Sequence, residues 1–191
     1  MRRCEEGIQL IRHGYGNIIW KDGARYDGQW ENGKANGNGI FHHINGDVYQ
    51  GEFKNDKANG YGIYSHKEGS KYEGGWRDDI KHGFGKEVWE DGSLYEGNFY
   101  EGVKHGQGHY QWSDGSKYTG DWVNGAIEGK GVYIWPDNRK YEGFWLNNKL
   151  HGKGVYTWPD GRKYDGYYED DKKKGLGTYY WPNGRVYEGY W

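Results

Sequence analysis

The chain has few of the aliphatic side chains with which globular domains of its size usually build a core. Only 34% of its 191 residues are hydrophobic, whereas an ordinary domain has roughly 45–50%. Low hydrophobicity is typical of disordered chains, but such chains are also poor in aromatic residues. This chain has 11 Trp and 20 Tyr. We therefore expect a thin fold that buries aromatic rings rather than an aliphatic centre.

Three further absences narrow the class of protein. The single cysteine, Cys4, excludes a framework of internal disulfides. The formal net charge of −2 gives no overall attraction to nucleic acid or to anionic membranes. No apolar run approaches the roughly 20 residues that span a bilayer, and the N-terminus lacks the apolar region of a signal peptide. We therefore expect an intracellular protein of the cytoplasm or cytoskeleton that binds no nucleic acid.

What the sequence does contain is a repeat of 23 residues, present eight times without insertion or deletion. Each copy has a Tyr-x-Gly-x-aromatic pentad; the pentads begin at Tyr26, Tyr49, Tyr72, Tyr95, Tyr118, Tyr141, Tyr164 and Tyr187. Each copy also has a Gly-x-Gly triplet; the triplets begin at Gly14, Gly37, Gly60, Gly83, Gly106, Gly129, Gly152 and Gly175. A turn signal such as Asp160-Gly161 separates triplet from pentad, and only Asp137-Asn138 departs from it. This regularity predicts a repeat architecture.

Each repeat has the pattern strand, turn, strand. In residues 152–168, Pro159-Asp160-Gly161 is typical of a three-residue hairpin loop that ends in a bulge. With this loop Tyr156 opposes Tyr164 and Gly154 opposes Gly166, so the rings share one face and lie across strand glycines. We interpret the six residues that link each pentad to the next triplet, such as residues 169–174, as polar loops along one rim.

Eight such hairpins side by side predict an all-β fold, an elongated, single-layer, twisted antiparallel sheet of tandem β-hairpins. At about 4.8 Å per strand it would be on the order of 75 Å long. We assign residues 13–191 to one rod-like domain of eight repeats and residues 1–12 to a degenerate N-terminal cap segment. Because the terminal strand has no cap, we expect a partner or, by self-association through the array ends, another copy to cover this edge, unless the chain is part of a longer protein.

The motifs resemble the membrane occupation and recognition nexus (MORN) repeat. The resemblance is carried by Tyr141-Glu142-Gly143-Phe144-Trp145, then Leu150-His151-Gly152-Lys153-Gly154, then Asp160-Gly161. MORN arrays occur in junctophilins, some plant lipid kinases, a histone methyltransferase, apicomplexan cytoskeletal proteins and the radial-spoke head proteins of cilia. The resemblance therefore implies an antiparallel sheet used for interaction, that is, a structural scaffold or adaptor, within a cytoskeletal or ciliary assembly.

Candidate catalytic and metal-binding side chains recur with the repeat, which favours structural roles. Histidine precedes a triplet at His13, His82, His105 and His151. In neighbouring repeats such histidines would be about 10 Å apart, too far to share a zinc ion. The pentads carry an acidic residue at Asp27, Glu73, Glu96, Glu142, Asp165 and Glu188, which we expect on the polar face, paired with lysine. We predict no enzymatic activity, no cofactor and no metal site.

A protein partner is the main expectation for function, because a single layer leaves part of its aromatic face exposed. We expect a helix or an extended segment to bind in an aromatic-lined gutter. The candidate ring contacts are Trp89, Trp112, Trp122, Trp135, Trp145, Tyr110 and Tyr133. Apolar residues in consecutive rim loops predict a second contact line, unless they only pack between loops. These residues are Ile80, Val103, Ile127 and Leu150.

Two alternatives stay open at this stage. The chain would be a peripheral membrane tether if rim lysines, notably Lys172, Lys173 and Lys174, bind anionic phospholipid head groups. It would be a regulatory array if it belongs to a larger enzyme. Salt separates the first alternative from aromatic contacts, because binding through scattered lysines weakens as ionic strength rises.

Overall fold

The computed structural model describes residues 11–191, which form one antiparallel sheet of 16 strands in sequence order, with no helix among the described residues. The strands are Gly14–Ile19 (β1), Arg25–Glu31 (β2), Lys34–His42 (β3), Val48–Lys54 (β4), Lys57–Ser65 (β5), Lys71–Arg77 (β6), Ile80–Val88 (β7), Leu94–Tyr100 (β8), Val103–Gln111 (β9), Lys117–Val123 (β10), Ala126–Ile134 (β11), Lys140–Leu146 (β12), Lys149–Thr157 (β13), Lys163–Glu169 (β14), Lys172–Tyr180 (β15) and Val186–Tyr190 (β16). The predicted fold class is confirmed. The predicted cap, residues 1–12, lies outside the described residues except for Ile11 and Arg12.

The three-residue hairpin loop is confirmed within each repeat. In the β13–β14 hairpin Tyr156 pairs with Tyr164 and Gly154 pairs with Gly166. The Gly161 N–H donates to the Trp158 carbonyl oxygen at 3.0 Å, and Gly161 has a φ of +88°. This closes a turn whose third residue is left-handed, which glycine adopts without strain. In the one loop without that glycine, Asn138 adopts a φ of 65°.

The six-residue rim loops are wrong, because consecutive repeats are joined by two-residue turns. Asp170 and Asp171 join β14 to β15 with φ values of 48° and 66°. Positive φ at both central residues defines the hairpin turn whose twist matches that of the flanking strands. The Asp171 carboxylate also accepts a hydrogen bond from the Leu150 N–H of the preceding repeat, at 2.8 Å. Of the other four residues of each expected loop, the first ends the preceding strand and the last three begin the next one.

One face of the sheet carries the core, and its repeating unit is a tyrosine that lies across two glycines. Tyr141 is 0% exposed, and a Cβ added at Gly154 would lie 2.3 Å from its hydroxyl oxygen. That hydroxyl donates to the carbonyl oxygen of Phe144 at 2.9 Å. Phe144 is the bulged residue of β12, since the register shifts between Gly143 and Trp145. The glycines therefore make room for the ring, and the ring satisfies the carbonyl that the bulge leaves unpaired.

The opposite face, which we call the polar face, carries the charged side chains of the pentads, and it also exposes the rings of Tyr61, Phe84 and Tyr167. The pentad carboxylates at Glu73, Glu142 and Asp165 form ion pairs with the lysines two residues before them, at 2.8, 2.8 and 3.5 Å. Pairing with lysine is confirmed for these three of the six pentad carboxylates, while Asp27 pairs with Arg25. Both partners of each pair lie at solvent-accessible positions of the same strand. Such pairs contribute little to stability.

Candidate functional site: the aromatic face

The outer layer of the aromatic face is a continuous row of rings that runs from β7 to the end of β15. From the β9–β10 hairpin onward a tryptophan precedes each loop and a tyrosine lies two residues earlier, so both side chains point to the same face, and the β7–β8 hairpin contributes Trp89 alone. Successive ring centroids are 4.4 to 5.7 Å apart. We call this row the ring ladder; it consists of Trp89, Tyr110, Trp112, Tyr133, Trp135, Tyr156, Trp158, Tyr179 and Trp181. Seven of its nine rings are only partly buried.

All seven predicted ring residues lie on this face, but in two layers. Five belong to the ring ladder and are partly exposed: Trp89, Tyr110, Trp112, Tyr133 and Trp135. The other two, Trp122 and Trp145, are 4% and 7% exposed and lie beneath it. Trp145 packs edge-on against Tyr141, with centroids 5.2 Å apart and an interplanar angle of 89°. The outer five are therefore available to a ligand, and the inner two support them.

The predicted line of apolar rim contacts is wrong as a single surface. Ile80 and Val103 are the first residues of β7 and β9, and their side chains are 42% and 41% exposed. Ile127 and Leu150 are the second residues of β11 and β13 and are 5% and 7% exposed. A shift of one residue turns a strand side chain to the other face. Ile127 and Leu150 therefore belong to the core, away from Ile80 and Val103.

Between the rings of the aromatic face lies a position that sequence reasoning missed. We call it the cage position, because four aromatic positions surround it in each repeat. It is occupied in turn by Ala35, Ala58, Lys81, Lys104, Ile127, Leu150 and Lys173. Three of its seven occupants are lysines that had been expected in solvated loops. The signal available in the sequence was its apolar character in the other four repeats.

Lys104 and Lys173 place their ammonium groups over four rings each. The Lys104 Nζ lies 4.7 to 5.6 Å from the ring centroids of Trp89, Tyr95, Tyr110 and Trp122. The Lys173 Nζ lies 4.5 to 5.5 Å from those of Trp158, Tyr164, Tyr179 and Trp191. Ring faces attract cations electrostatically at such distances. Burial lowers the pKa of both lysines from its ordinary value.

A charged pair separates the ring ladder from the rings of the first repeats. Glu87 stands where the neighbouring repeats have a tyrosine, and it forms an ion pair with Lys81 at the cage position. On the N-terminal side a shorter row of rings has centroids 4.6 to 5.6 Å apart. This row consists of Trp20, Phe41, His43, Tyr64 and His66. The aromatic face therefore has two aromatic stretches with one charged interruption.

The expected basic cluster at Lys172, Lys173 and Lys174 is not one exposed patch. Lys173 points into the aromatic face, and Lys174 forms an ion pair with Glu169.

In the part of the chain that the structure describes, no three His, Cys, Asp or Glu side chains are placed to hold a metal ion. Over residues 11–191, no helix has the length and apolar character needed to cross a membrane.

The family follows from the repeat itself. The MORN repeat model matches the chain eight times, over residues 11–25, 26–48, 49–71, 72–94, 95–117, 118–138, 141–161 and 164–184. The chain belongs to the MORN repeat family. MORN arrays are scaffolds for interaction with proteins or membranes, so this MORN array is an interaction scaffold. No curated protein matches the whole chain.

Two solved structures illustrate the similarity of this sheet to known folds. The G-box domain of the microcephaly protein CPAP aligns at a TM-score of 0.50 and 14% identity, covering 93% of this chain and 99% of that one. The TCP domain of SAS-4 (dCPAP) of Drosophila melanogaster, solved with a proline-rich motif of Ana2 (dSTIL), aligns at a TM-score of 0.49 and 12% identity, covering 99% and 97%. The likeness to the G-box domain concerns the fold alone.

Proposed function

We propose that this MORN array is a non-catalytic scaffold that binds a segment of another protein along the ring ladder. The observation that carries the proposal is one uninterrupted row of rings from Trp89 to Trp181 on a single-layer sheet, in which Tyr156 and Tyr179 are buried and the other seven rings are partly exposed. Exposed apolar surface of this extent usually marks a binding site, and Trp and Tyr are the residues that dominate binding energy at protein interfaces. The segment would be a helix or an extended strand with apolar side chains facing the rings.

The charges of the molecule favour a protein over a lipid surface as the partner. Binding to anionic membranes needs clusters of free basic residues. Here the lysines beside the inter-repeat turns have carboxylates next to them: Lys57 lies 4.0 Å from Asp78 and Lys149 lies 3.6 Å from Asp170. The formal net charge is −2. Binding to phospholipid is therefore the result of the experiment that would contradict the proposal. We place the assembly in the cytoskeleton or a cilium on the family resemblance alone.

The proposal predicts that binding depends on which face is altered. We expect Trp112→Ser to weaken partner capture at least tenfold, because the ring lies mid-ladder. Tyr167→Ser, which removes a 50% exposed ring from the polar face, should leave capture unchanged. Because Trp112 is half-buried, its loss should also destabilise the sheet by about 1–2 kcal/mol, less than a fully buried tryptophan. The measurement is affinity capture of the tagged variants from native lysate at moderate and high salt, with mass spectrometry.

Circular dichroism on each variant shows whether the sheet is retained, and Trp135→Ser serves as a second ladder variant. Retention of the same proteins by wild type and Tyr167→Ser, at both salt concentrations, supports the ladder as the contact. Equal capture by a folded Trp112→Ser variant would exclude it. Recovery of membrane material alone, lost at high salt, would move the function to lipid tethering.

A further inference from the structure

Two of the seven cages are open pockets, because Ala35 and Ala58 end at Cβ. The pocket at Ala58 has a volume of about 240 Å³. Phe41 and Phe53 line it together with four further rings, His43, Tyr49, Tyr64 and Trp76. These four occupy the same repeat positions as the rings around Lys104 and around Lys173. The protein therefore contains, in its own later repeats, two examples of what this arrangement of rings holds when it is filled by a long side chain with a positive charge.

The pocket at Ala58 also carries negative charge. Asp56 and Asp79 both line it, and no Lys or Arg is among its lining residues. The Oδ1 atom of Asp79 accepts a hydrogen bond from the Ala58 N–H at 2.7 Å, and Asp56 does the same for Ala35. Each carboxylate keeps a second oxygen for another donor. The equivalent residue is glycine for Lys81 and Lys104 and Asp171 for Leu150, so the open cage at Ala58 has at this place a carboxylate that the cages of Lys81 and Lys104 lack.

The rings of this pocket are held in place before any ligand arrives. The Trp76 Nε1–H donates to the Gly62 carbonyl oxygen at 3.2 Å, and the Tyr64 hydroxyl donates to Asp47 at 2.9 Å. The Tyr49 hydroxyl donates to the Glu52 carbonyl oxygen at 2.9 Å. A preorganised site binds more tightly because little side-chain freedom is lost on binding.

The fourth ring, His43, stands where the cages of Lys104 and Lys173 have tryptophan. Burial lowers the pKa of His43, and the nearby Asp47 partly offsets this effect. The imidazole is therefore neutral at neutral pH and does not repel a cation. The pocket at Ala35 differs in this respect, because Arg12 lines it together with Asp56.

We propose that the pocket at Ala58 receives the ammonium group of a lysine side chain from a bound protein, as Lys104 and Lys173 fill the equivalent cages from within the chain. The ammonium group would lie over the rings of Tyr49, Tyr64 and Trp76 and donate hydrogen bonds to Asp56 and Asp79. This inference rests on the proposed function insofar as the lysine belongs to the segment on the aromatic face. It adds that this ligand carries a lysine toward the N-terminal end of the array.

The experiment uses a small probe and needs no identified partner. Nα-acetyl-lysine-N-methylamide is titrated into the protein labelled with ¹⁵N-tryptophan, and the indole N–H signal of Trp76, assigned with Trp76→Phe, is followed by NMR. The neutral norleucine analogue, of similar length, is the matched control ligand. We expect a saturable shift with the lysine probe and at least tenfold weaker binding of norleucine. Equal binding of both probes would overturn the proposal, because the pocket would then be merely apolar.

Two variants test the site with the fold preserved. Ala58→Lys fills the cage from within the chain, with the residue that three other repeats carry at this position, and should abolish the Trp76 shift. Asp56→Asn with Asp79→Asn removes the charge and keeps the turns, since Asn148 accepts the equivalent bond from Ile127 at 2.8 Å. We expect this double variant to bind the lysine probe at least fivefold more weakly. Unchanged affinity in either variant would overturn the proposal.

A converse variant extends the same logic to a filled cage. Lys104→Ala opens a pocket among Trp89, Tyr95, Tyr110 and Trp122, and a new lysine-dependent shift of the Trp122 signal supports the cage as the recognition element. Failure of the probe titrations leaves capture by the ring ladder intact, whereas failure of the capture experiment leaves the probe titrations intact. The two proposals are therefore separable.

Discussion

At the scale of single residues, the fold depends on one buried tyrosine in each repeat but the last, and these rings form a core without the second sheet of a β-sandwich. Tyr118 and Tyr141 are 0% exposed although only one sheet exists, because each ring lies flat over glycine pairs. A Cβ at Gly131 would lie 2.2 Å from the Tyr118 hydroxyl oxygen. The 36 glycines thus do not signal disorder here. At the strand positions their missing side chains leave the room that the buried tyrosine rings occupy.

We predict that two glycine-to-alanine changes differ in how much they lower the free energy of unfolding. Gly154→Ala should destabilise the protein by about 1–3 kcal/mol, because the new methyl group overlaps the Tyr141 ring. Gly16→Ala should change stability by less than about 1 kcal/mol, because its Cβ would lie 3.7 Å from Trp30. Chemical denaturation followed by tryptophan fluorescence measures both. Similar losses in the two variants would mean that the tyrosines do not depend on the glycine surface.

At the scale of the elements, side chains tie each hairpin to the next. The Asp47 carboxylate accepts hydrogen bonds from the Lys67 N–H at 3.0 Å and the Tyr64 hydroxyl at 2.9 Å, both in the following repeat. The Lys67 N–H is the main cause, with Tyr64, Asn45 and His66 adding to it, of a pKa of about 2 for Asp47, below its ordinary 3.8. The ionised carboxylate therefore connects two hairpin loops.

The lowered pKa of Asp47 gives a pH dependence with a definite sign. A carboxyl group whose pKa is lower in the folded state stabilises that state above the unfolded pKa and loses this contribution as the pH falls through the folded one. Asp47→Asn should therefore melt below wild type at neutral pH, and the difference should shrink as the pH falls from about 4 to about 2. Thermal melts across this range measure it. If the difference in melting temperature stays constant down to the lowest pH, the effect comes from the shape of the Asp47 side chain and not from its negative charge.

The sequence predicted the hairpins better than the connections between them. Asp160-Gly161 and its counterparts are strong turn signals, and from them the pairing of Tyr156 with Tyr164 followed correctly. The two-residue turns between repeats were missed, although Asn32-Gly33 and Asn124-Gly125 are typical hairpin signals. Four of the seven turns, such as Asp170-Asp171, adopt the same positive-φ geometry without glycine. Six residues were therefore assigned to a loop, although four of them are strand.

That one misassignment explains what went wrong at the site. Once residues 172–174 are strand rather than loop, Lys173 falls on the aromatic face and its neighbours on the other. The same shift separates Ile127 from Val103, which the sequence alone placed in one line. Five rings of the ladder, from Trp89 to Trp135, were placed on this face correctly because they lie beside the hairpin loops, where the register was known, and their role as contacts stays a prediction.

At the scale of the whole molecule, the aromatic face is continuous but chemically uneven. Its C-terminal stretch is the ring ladder, with cages filled by Lys104, Ile127, Leu150 and Lys173. Its N-terminal stretch has open cages lined by carboxylates. The Lys81–Glu87 ion pair lies between them. A ligand that runs along this face from its C-terminal end would therefore meet the ring ladder first and the open pockets beyond the charged pair, which gives the array a direction as well as a surface.

The measurement that tests the central claim most directly is photo-crosslinking from the two faces in the native cell. Benzoylphenylalanine is introduced in place of Trp112, on the ring ladder, and separately in place of Tyr167, exposed on the polar face. If the ladder binds a protein segment, position 112 crosslinks to a short stretch of one partner, identified by mass spectrometry, and position 167 does not. Crosslinks from position 167 alone, or to lipid from position 112, would contradict the account.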